Sequence, residues 1–184
     1  AIARAAGEIA AGKLSDHFPL VVWQTGSGTH TNMNANEVAA NRANELLGEK
    51  LGAMIPVHPN DHVNLAQSSN DSFPTAMHIA AVLGVTNNLL PSLTRLRVSL
   101  FGRQQAFGKI LKLGRTHLQD ATPLTLGREF SAVVHQIDAG IERIENALPR
   151  RLTVAQGGAA VGTGLNAAKG FDRRLCTELR MLTG

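Results

Sequence analysis

LGREFSAVVHQIDAGIERIENAL, residues 126–148, is the stretch that decides the fold. Its apolar residues Leu126, Phe130, Val133, Val134, Ile137, Ile141, Ile144 and Leu148 step by 4, 3, 1, 3, 4, 3 and 4. That is the period of a helix with one buried face, and over this length it predicts a long amphipathic helix closed by Pro149. His135 rides on this helix and reads as structural. Upstream, residues 74–107 are apolar on nearly every face, from Met77 and Ile79 through Leu89, Leu93 and Leu96 to Phe101. A helix of that kind belongs inside a bundle or an oligomer, and Pro91 should kink or restart it. His78 in this run reads as a core or interface histidine. The expected class is all-α, built from long helices.

Composition narrows the class of function. The 184 residues carry a net charge of +4 with Lys and Arg dispersed, no Tyr, and 4% aromatics. Nothing here makes a stacking platform or a basic stripe for nucleic acid. The single cysteine, Cys176, rules out an internal disulfide and fits a reducing compartment. No uninterrupted apolar run approaches the roughly 20 residues of a membrane span. The first and last residues both lie in helix-like patterns, so the chain is expected to be an internal piece of a longer, soluble, intracellular polypeptide.

Three polar clusters interrupt the helical pattern. The first, Gln24-Thr25-Gly26-Ser27-Gly28-Thr29-His30-Thr31-Asn32-Met33-Asn34, follows an extended run from Phe18 to Trp23 and precedes a helix that Gly48 stops. Free N–H groups and the positive dipole end make a helix start a carboxylate or phosphate site. One hydroxyl suffices for ordinary capping, and this cluster exceeds that need. It matches neither a P-loop nor a dinucleotide fingerprint.

The second cluster runs from His58-Pro59-Asn60-Asp61-His62-Val63-Asn64 to Gln67-Ser68-Ser69-Asn70-Asp71-Ser72. Pro59 predicts a turn in which Asn60 and Asp61 bond to backbone. Pro74 suits the first turn of the helix that follows. His58 and His62 are four apart, but Pro59 lies between them and no third ligand is evident, so no metal is expected. The third cluster is Gly114-Arg115-Thr116-His117-Leu118-Gln119-Asp120-Ala121-Thr122-Pro123, which the extended Ile110–Leu113 run enters. It reads either as a solvated surface loop or as the place where a histidine moves a proton at neutral pH. A Gly-rich connection, residues 156–166, reads equally as a flexible loop or a site lining. A last helix begins near Gly170.

Neutral donors at helix ends can hold a small carboxylate and stabilise charge that develops on it. With a histidine beside them, they suit addition or removal of a group beta to a carboxylate. No cofactor motif is visible.

From Phe18 to about Asn166 these clusters resemble the fumarase/aspartase superfamily, and within it the class II fumarate hydratases. Thr25–Thr29 with Asn32–Asn34 and Asn36–Val38 is similar to the family's first signature. His58–Asp61 through Gln67–Asp71 resembles the second, and Gly114–Pro123 the third. Aspartases typically carry Gln in place of His117, Asn in place of Asp61 and Thr in place of Ser69, so all three positions take the hydratase form.

The resemblance implies a hydro-lyase that interconverts fumarate and (S)-malate. The alternatives are an aspartate ammonia-lyase and a non-catalytic dicarboxylate-binding or structural member. It implies that Ser27, Gly28, Thr29, Ser68, Ser69, Asn70 and Thr116 bind the dicarboxylate and that His117 acts in proton transfer. His58, Pro59, Asn60 and Asp61 match a second dicarboxylate site. Ile55 stands where that site usually has a basic residue. The implied partners are a small dicarboxylate and three further copies in a homotetramer with shared active sites, with no nucleic acid and no membrane. The implied location is cytoplasmic, or mitochondrial in a eukaryote. Residues 1–72 would end an N-terminal domain and residues 73–184 would be part of a central helical bundle. The family's Gly-Ser-Ser loop, which supplies a serine base, would lie beyond residue 184, so this piece alone is not expected to hydrate fumarate.

Overall fold

The structure, a computed structural model, describes every residue except Val22 and residues 24–26. The chain forms α1 (Ile2–Ala10), a 3-10 turn (Ser15–His17), α2 (Thr29–Leu46), a π-helical turn (Pro59–Val63) and α3 (Ser69–Gly84). There follow a second π-helical turn (Val85–Leu89), α4 (Leu90–Ala106), β1 (Leu111–Thr116), β2 (Gln119–Thr125), α5 (Leu126–Arg151) and α6 (Phe171–Thr183). The long-helix class expected from the sequence is present, with one small sheet added. Two compact units result, one of residues 1–78 and 154–184 and the other of residues 79–153, so the division falls inside α3.

In the first unit α1 packs on α2 through small side chains. Ala5, Ala40, Ala43 and Val57 are buried together, with Ile2 and Val63 against them. Alanines let the two helices approach closely, and the Glu8 carboxylate ties them by pairing with Arg42. Asn44, fully buried on α2, donates from Nδ2 to the Val57 carbonyl at 2.9 Å. It also accepts the Val57 N–H on Oδ1 at 2.9 Å. One amide thus imitates a strand partner and fixes the chain that leads into His58.

In the second unit α4 packs on α5. Val134 is buried, and Phe107 meets Phe130 edge to face with ring centres 5.5 Å apart. The Arg97 fork grips Asp138 at 2.9 and 3.2 Å and lies 5.0 Å over the Phe101 ring. Gly127, in the first turn of α5, sits where any Cβ would come within 2.5 Å of the Gln104 carbonyl oxygen. That close approach seats the start of α5 against the end of α4.

Several boundaries differ from expectation. α3 starts at Ser69, so Pro74 lies inside the helix and not at its first position. At the sixth position of the helix Pro74 offers no N–H to the Asn70 carbonyl. The break near Pro91 is a wide π-helical turn just before it, which leaves Pro91 in the first turn of α4. Through that turn Ser69–Ala106 is one 38-residue helix, long and apolar enough to cross a membrane by length and composition, with a mean hydropathy of 1.2 over its best window. Thr86, Asn87 and Asn88 interrupt its apolar sequence, so no uninterrupted apolar run marks it. Leu96, Val98 and Phe101 stand exposed along this helix.

Candidate active site

In the first unit, two helix N-termini lie side by side. Gly28 caps α2 at φ 76°, a left-handed conformation that glycine adopts without strain. Phe73 of α3 covers it so closely that a Cβ on Gly28 would be 2.1 Å from the ring. Only glycine fits there, and the fit seats the start of α2 against the first turns of α3. Ser27 and Thr29 flank the glycine with their hydroxyls 3.2 Å apart. Of the first cluster, Gln24, Thr25 and Gly26 lie outside the described residues.

One turn into α2, Asn32 donates to the Ser69 hydroxyl at 3.0 Å. Asn36 donates to Asn64 Oδ1 at 3.0 Å, and Asn64 donates to the Gln67 carbonyl at 3.2 Å. These amides join the two clusters that the sequence separates by some thirty residues. α3 then opens with a reciprocal cap. The Ser68 hydroxyl accepts the Asn70 N–H at 3.2 Å, while Asp71 accepts the Ser68 N–H at 2.9 Å. Ser27, Gly28, Thr29, Ser68, Ser69 and Asn70 are therefore brought to one place. No Lys or Arg occurs within 27–34 or 58–72, so what these segments themselves offer an anion is hydroxyls, amides, backbone N–H groups and two dipole ends.

Thr116 and His117 belong to the second unit. The third cluster is a β-hairpin, in which β1 and β2 pair antiparallel with Thr116 opposite Gln119 and a bulge between Leu113 and Arg115. His117 and Leu118 are the two turn residues, at φ 50° and 62°. Positive φ at both positions is the hairpin turn whose twist matches that of its strands. The backbone ladder thus presents His117 at an exposed tip. Arg115 and Asp120 pair across the ladder at 3.3 Å, and Lys112 pairs with Glu129 at the start of α5.

His58, Pro59, Asn60 and Asp61 form one tight turn. His58 Nδ1 accepts the N–H groups of Asn60 and Asp61, at 3.3 and 3.2 Å, and so caps the π-helical turn. The cap is the histidine and not, as the sequence predicts, the Asn60 and Asp61 side chains. The histidine wins because it precedes the turn, where its ring nitrogen reaches two unpaired donors. His62 Nδ1 accepts the His58 N–H at 2.9 Å, so both imidazoles bond to nearby backbone. Ile55, at the position of the usual basic residue, is exposed. Among the described residues no group of three or more His, Cys, Asp or Glu is placed to hold a metal ion.

Two features were missed in the sequence. Asp71, one more polar residue of its cluster in the sequence, is 2% exposed and bonds to the Gly-rich connection. Thr75 and Gln156 are buried partners in the same place. The only sequence signal was the Ser68-x-x-Asp71 spacing of a cap.

A family model described as lyase matches residues 1–184. The mitochondrial fumarate hydratase of Rhizopus oryzae is 59% identical over 184 residues, all of this chain and 37% of that protein. A class II fumarate hydratase of Bradyrhizobium diazoefficiens is 61% identical over 183 residues, 100% of this chain and 39% of that protein. The crystal structure of class II fumarase from Schistosoma mansoni superposes with a TM-score of 0.93 at 48% identity, over 99% of this chain and 38% of that one. The chain thus spans well under half the length of these relatives. With the family model covering it from end to end, the chain belongs to this lyase family and is similar throughout to class II fumarate hydratases.

Proposed function

We propose that the full protein carrying this chain is a fumarate hydratase that interconverts fumarate and (S)-malate. The observation that carries the reading is the pairing of the α2 and α3 N-termini through the Asn32–Ser69 bond. It gathers hydroxyl, amide and backbone donors into a neutral cradle for carboxylate oxygens. Ser27, Gly28, Thr29, Ser68, Ser69 and Asn70 bind the dicarboxylate, and the family resemblance assigns Thr116 to dicarboxylate binding as well. During addition of water, electron density from the double bond moves into the carboxylate next to the carbon that will take the proton. Preorganised donors stabilise that charge. His117 takes a proton from the attacking water, whose oxygen bonds to the other carbon. The family resemblance gives the carbon-bound proton to a serine C-terminal to residue 184, so the activity belongs to the full protein. No cofactor enters this scheme.

Residues 1–72 and 73–184 belong in this reading to an N-terminal and a central helical domain. The exposed apolar side chains of Ser69–Ala106 are covered in a homotetramer and do not enter a membrane. His58, Pro59, Asn60 and Asp61 form a weakened second dicarboxylate site, because Ile55 brings no charge. The relatives include mitochondrial and bacterial enzymes, which agrees with a cytoplasmic or mitochondrial-matrix protein.

The test follows absorbance of the fumarate double bond with the full-length protein, given malate and then aspartate. Malate turnover alone is expected. Aspartate turnover would move the assignment to an ammonia-lyase, and turnover of neither would overturn it.

A further inference from the structure

The carboxylate of Asp71 is buried, and the scheme above does not use it. Its Oδ1 accepts the Ser68 N–H at 2.9 Å and the Ser72 hydroxyl at 3.3 Å. Its Oδ2 accepts two backbone N–H groups from the far end of the chain, Gly157 at 3.3 Å and Ala159 at 2.7 Å. Two neighbours on α3 reach the same segment. Thr75, also buried, accepts the Gln156 N–H at 3.0 Å, and Asn70 donates from Nδ2 to the Ala160 carbonyl at 2.8 Å. The backbone of the segment is shaped to meet them, with Gly157 at φ 98° and Ala159 at φ 55°. Non-glycine residues seldom adopt positive φ, so Ala159 is held there by its partners.

We propose that Asp71 is a positioning residue for the dicarboxylate site, clamping the 156–160 turn onto the N-terminus of α3 so that the Ala160 carbonyl sets the Asn70 amide. This rests on the assignment of Ser68, Ser69 and Asn70 to dicarboxylate binding. The same carboxylate caps Ser68 through one oxygen and anchors the turn through the other. With one amide hydrogen of Asn70 committed to Ala160, the second hydrogen has a fixed direction for a ligand oxygen. The Gly-rich connection then belongs to the site as the wall that orients Asn70. A clamp formed before the ligand arrives lowers the ordering cost of binding, so its loss is felt in KM before kcat.

The experiment compares D71N, T75V and T75S in the full-length protein, reading KM, kcat, thermal midpoint and amide hydrogen exchange over residues 156–160. D71N keeps the volume but presents an amide N–H₂ to backbone donors. T75V removes the hydroxyl that accepts the Gln156 N–H, and T75S keeps it. We expect KM to rise about tenfold in D71N and T75V, with kcat changed by less than about threefold and T75S close to wild type. Exchange at Gly157 and Ala159 should quicken in D71N. A D71N protein that melts earlier with KM unchanged would overturn the proposal, because Asp71 would then serve stability alone. So would equal KM changes in T75S and T75V, and that pair decides the matter if D71N does not fold. If the wild type does not hydrate fumarate, added fumarate becomes the probe. Slowed exchange at 68–70 and 156–160 in wild type but not in T75V would uphold the clamp, and no such protection would overturn it.

Discussion

The α2/α3 corner and the β1/β2 hairpin hold their candidate residues by opposite means. At the corner, side chains hold one another and the backbone: Asn32 holds the Ser69 hydroxyl, Asn36 holds the Asn64 amide, and Asp71 holds the Ser68 N–H. At the hairpin, backbone fixes a side chain: ladder pairs on either side leave His117 exposed in a two-residue turn. Binding groups that share a network cannot be altered singly without loosening one another. A proton-transfer group on a ladder can be altered with little structural effect. The difference predicts that mutations will separate cleanly into those that cost chemistry and those that cost binding and stability.

The largest effect is expected at the hairpin. In the full-length protein, His117→Gln should lower kcat by about 10²–10⁴, the usual contribution of a positioned acid or base, with the thermal midpoint nearly unchanged. Steady-state kinetics beside a melting curve checks this. A large fall in midpoint would show that the imidazole is part of the structure of the turn.

Next comes Gly28→Ala at the corner. The new methyl would overlap Phe73 and occupy a left-handed backbone position. Overpacking and strain together should cost about 3 kcal/mol. Because Gly28 seats the start of α2 against α3, KM for fumarate should rise as the midpoint falls. Denaturant unfolding and kinetics on one preparation test both halves. A destabilised protein with wild-type KM would show the two helix starts to be independent.

How far the sequence could be read follows the same division. α5 was legible residue by residue, because one strongly apolar face repeats over six turns. Its predicted end at Pro149 differs from the observed Arg151 by a fraction of a turn. The first two polar clusters were legible as helix starts, because Ser, Thr and Asn before an apolar run have few other uses. The hairpin was not. His117-Leu118 lacks the Asn-Gly signature of its turn type, and Gly114 and Pro123 read as loop punctuation. The start of α3 was misplaced because Pro74 is a stronger local signal than the Ser68–Asp71 cap, although the cap decides. The clamp on residues 156–160 was out of reach of any local rule, since its partners lie 81 to 90 residues apart.

A smaller effect sharpens the hairpin side of the comparison. Leu118 is fully exposed at φ 62°, where a leucine pays for its Cβ and packs against nothing. Leu118→Gly removes that strain, at some cost in unfolded-state entropy. The net should be a stability within about 1 kcal/mol of wild type and a similar kcat. Loss of activity with the fold intact would mean that the leucine itself, and not the ladder, directs His117.

The smallest effect lies away from both regions, in the brace between α4 and α5, and it is a matter of pH. The hydrogen bonds from Arg97, then its charge and that of His135, hold the Asp138 carboxyl below its ordinary value of 3.8. A carboxylate whose folded pKa is depressed binds its proton more readily in the unfolded chain. The stability it contributes is therefore present above the unfolded pKa and drains away as pH falls through the folded one. Asp138 and Arg97 are both partly exposed, so solvent screens the pair and the contribution is small. Melting wild type and Arg97→Gln across a pH series should give a gap that is constant from neutrality down to about pH 4 and closes below it. A gap that persisted into stronger acid would mean that Arg97 braces α4 chiefly through its stacking on Phe101, which protonation of Asp138 leaves in place.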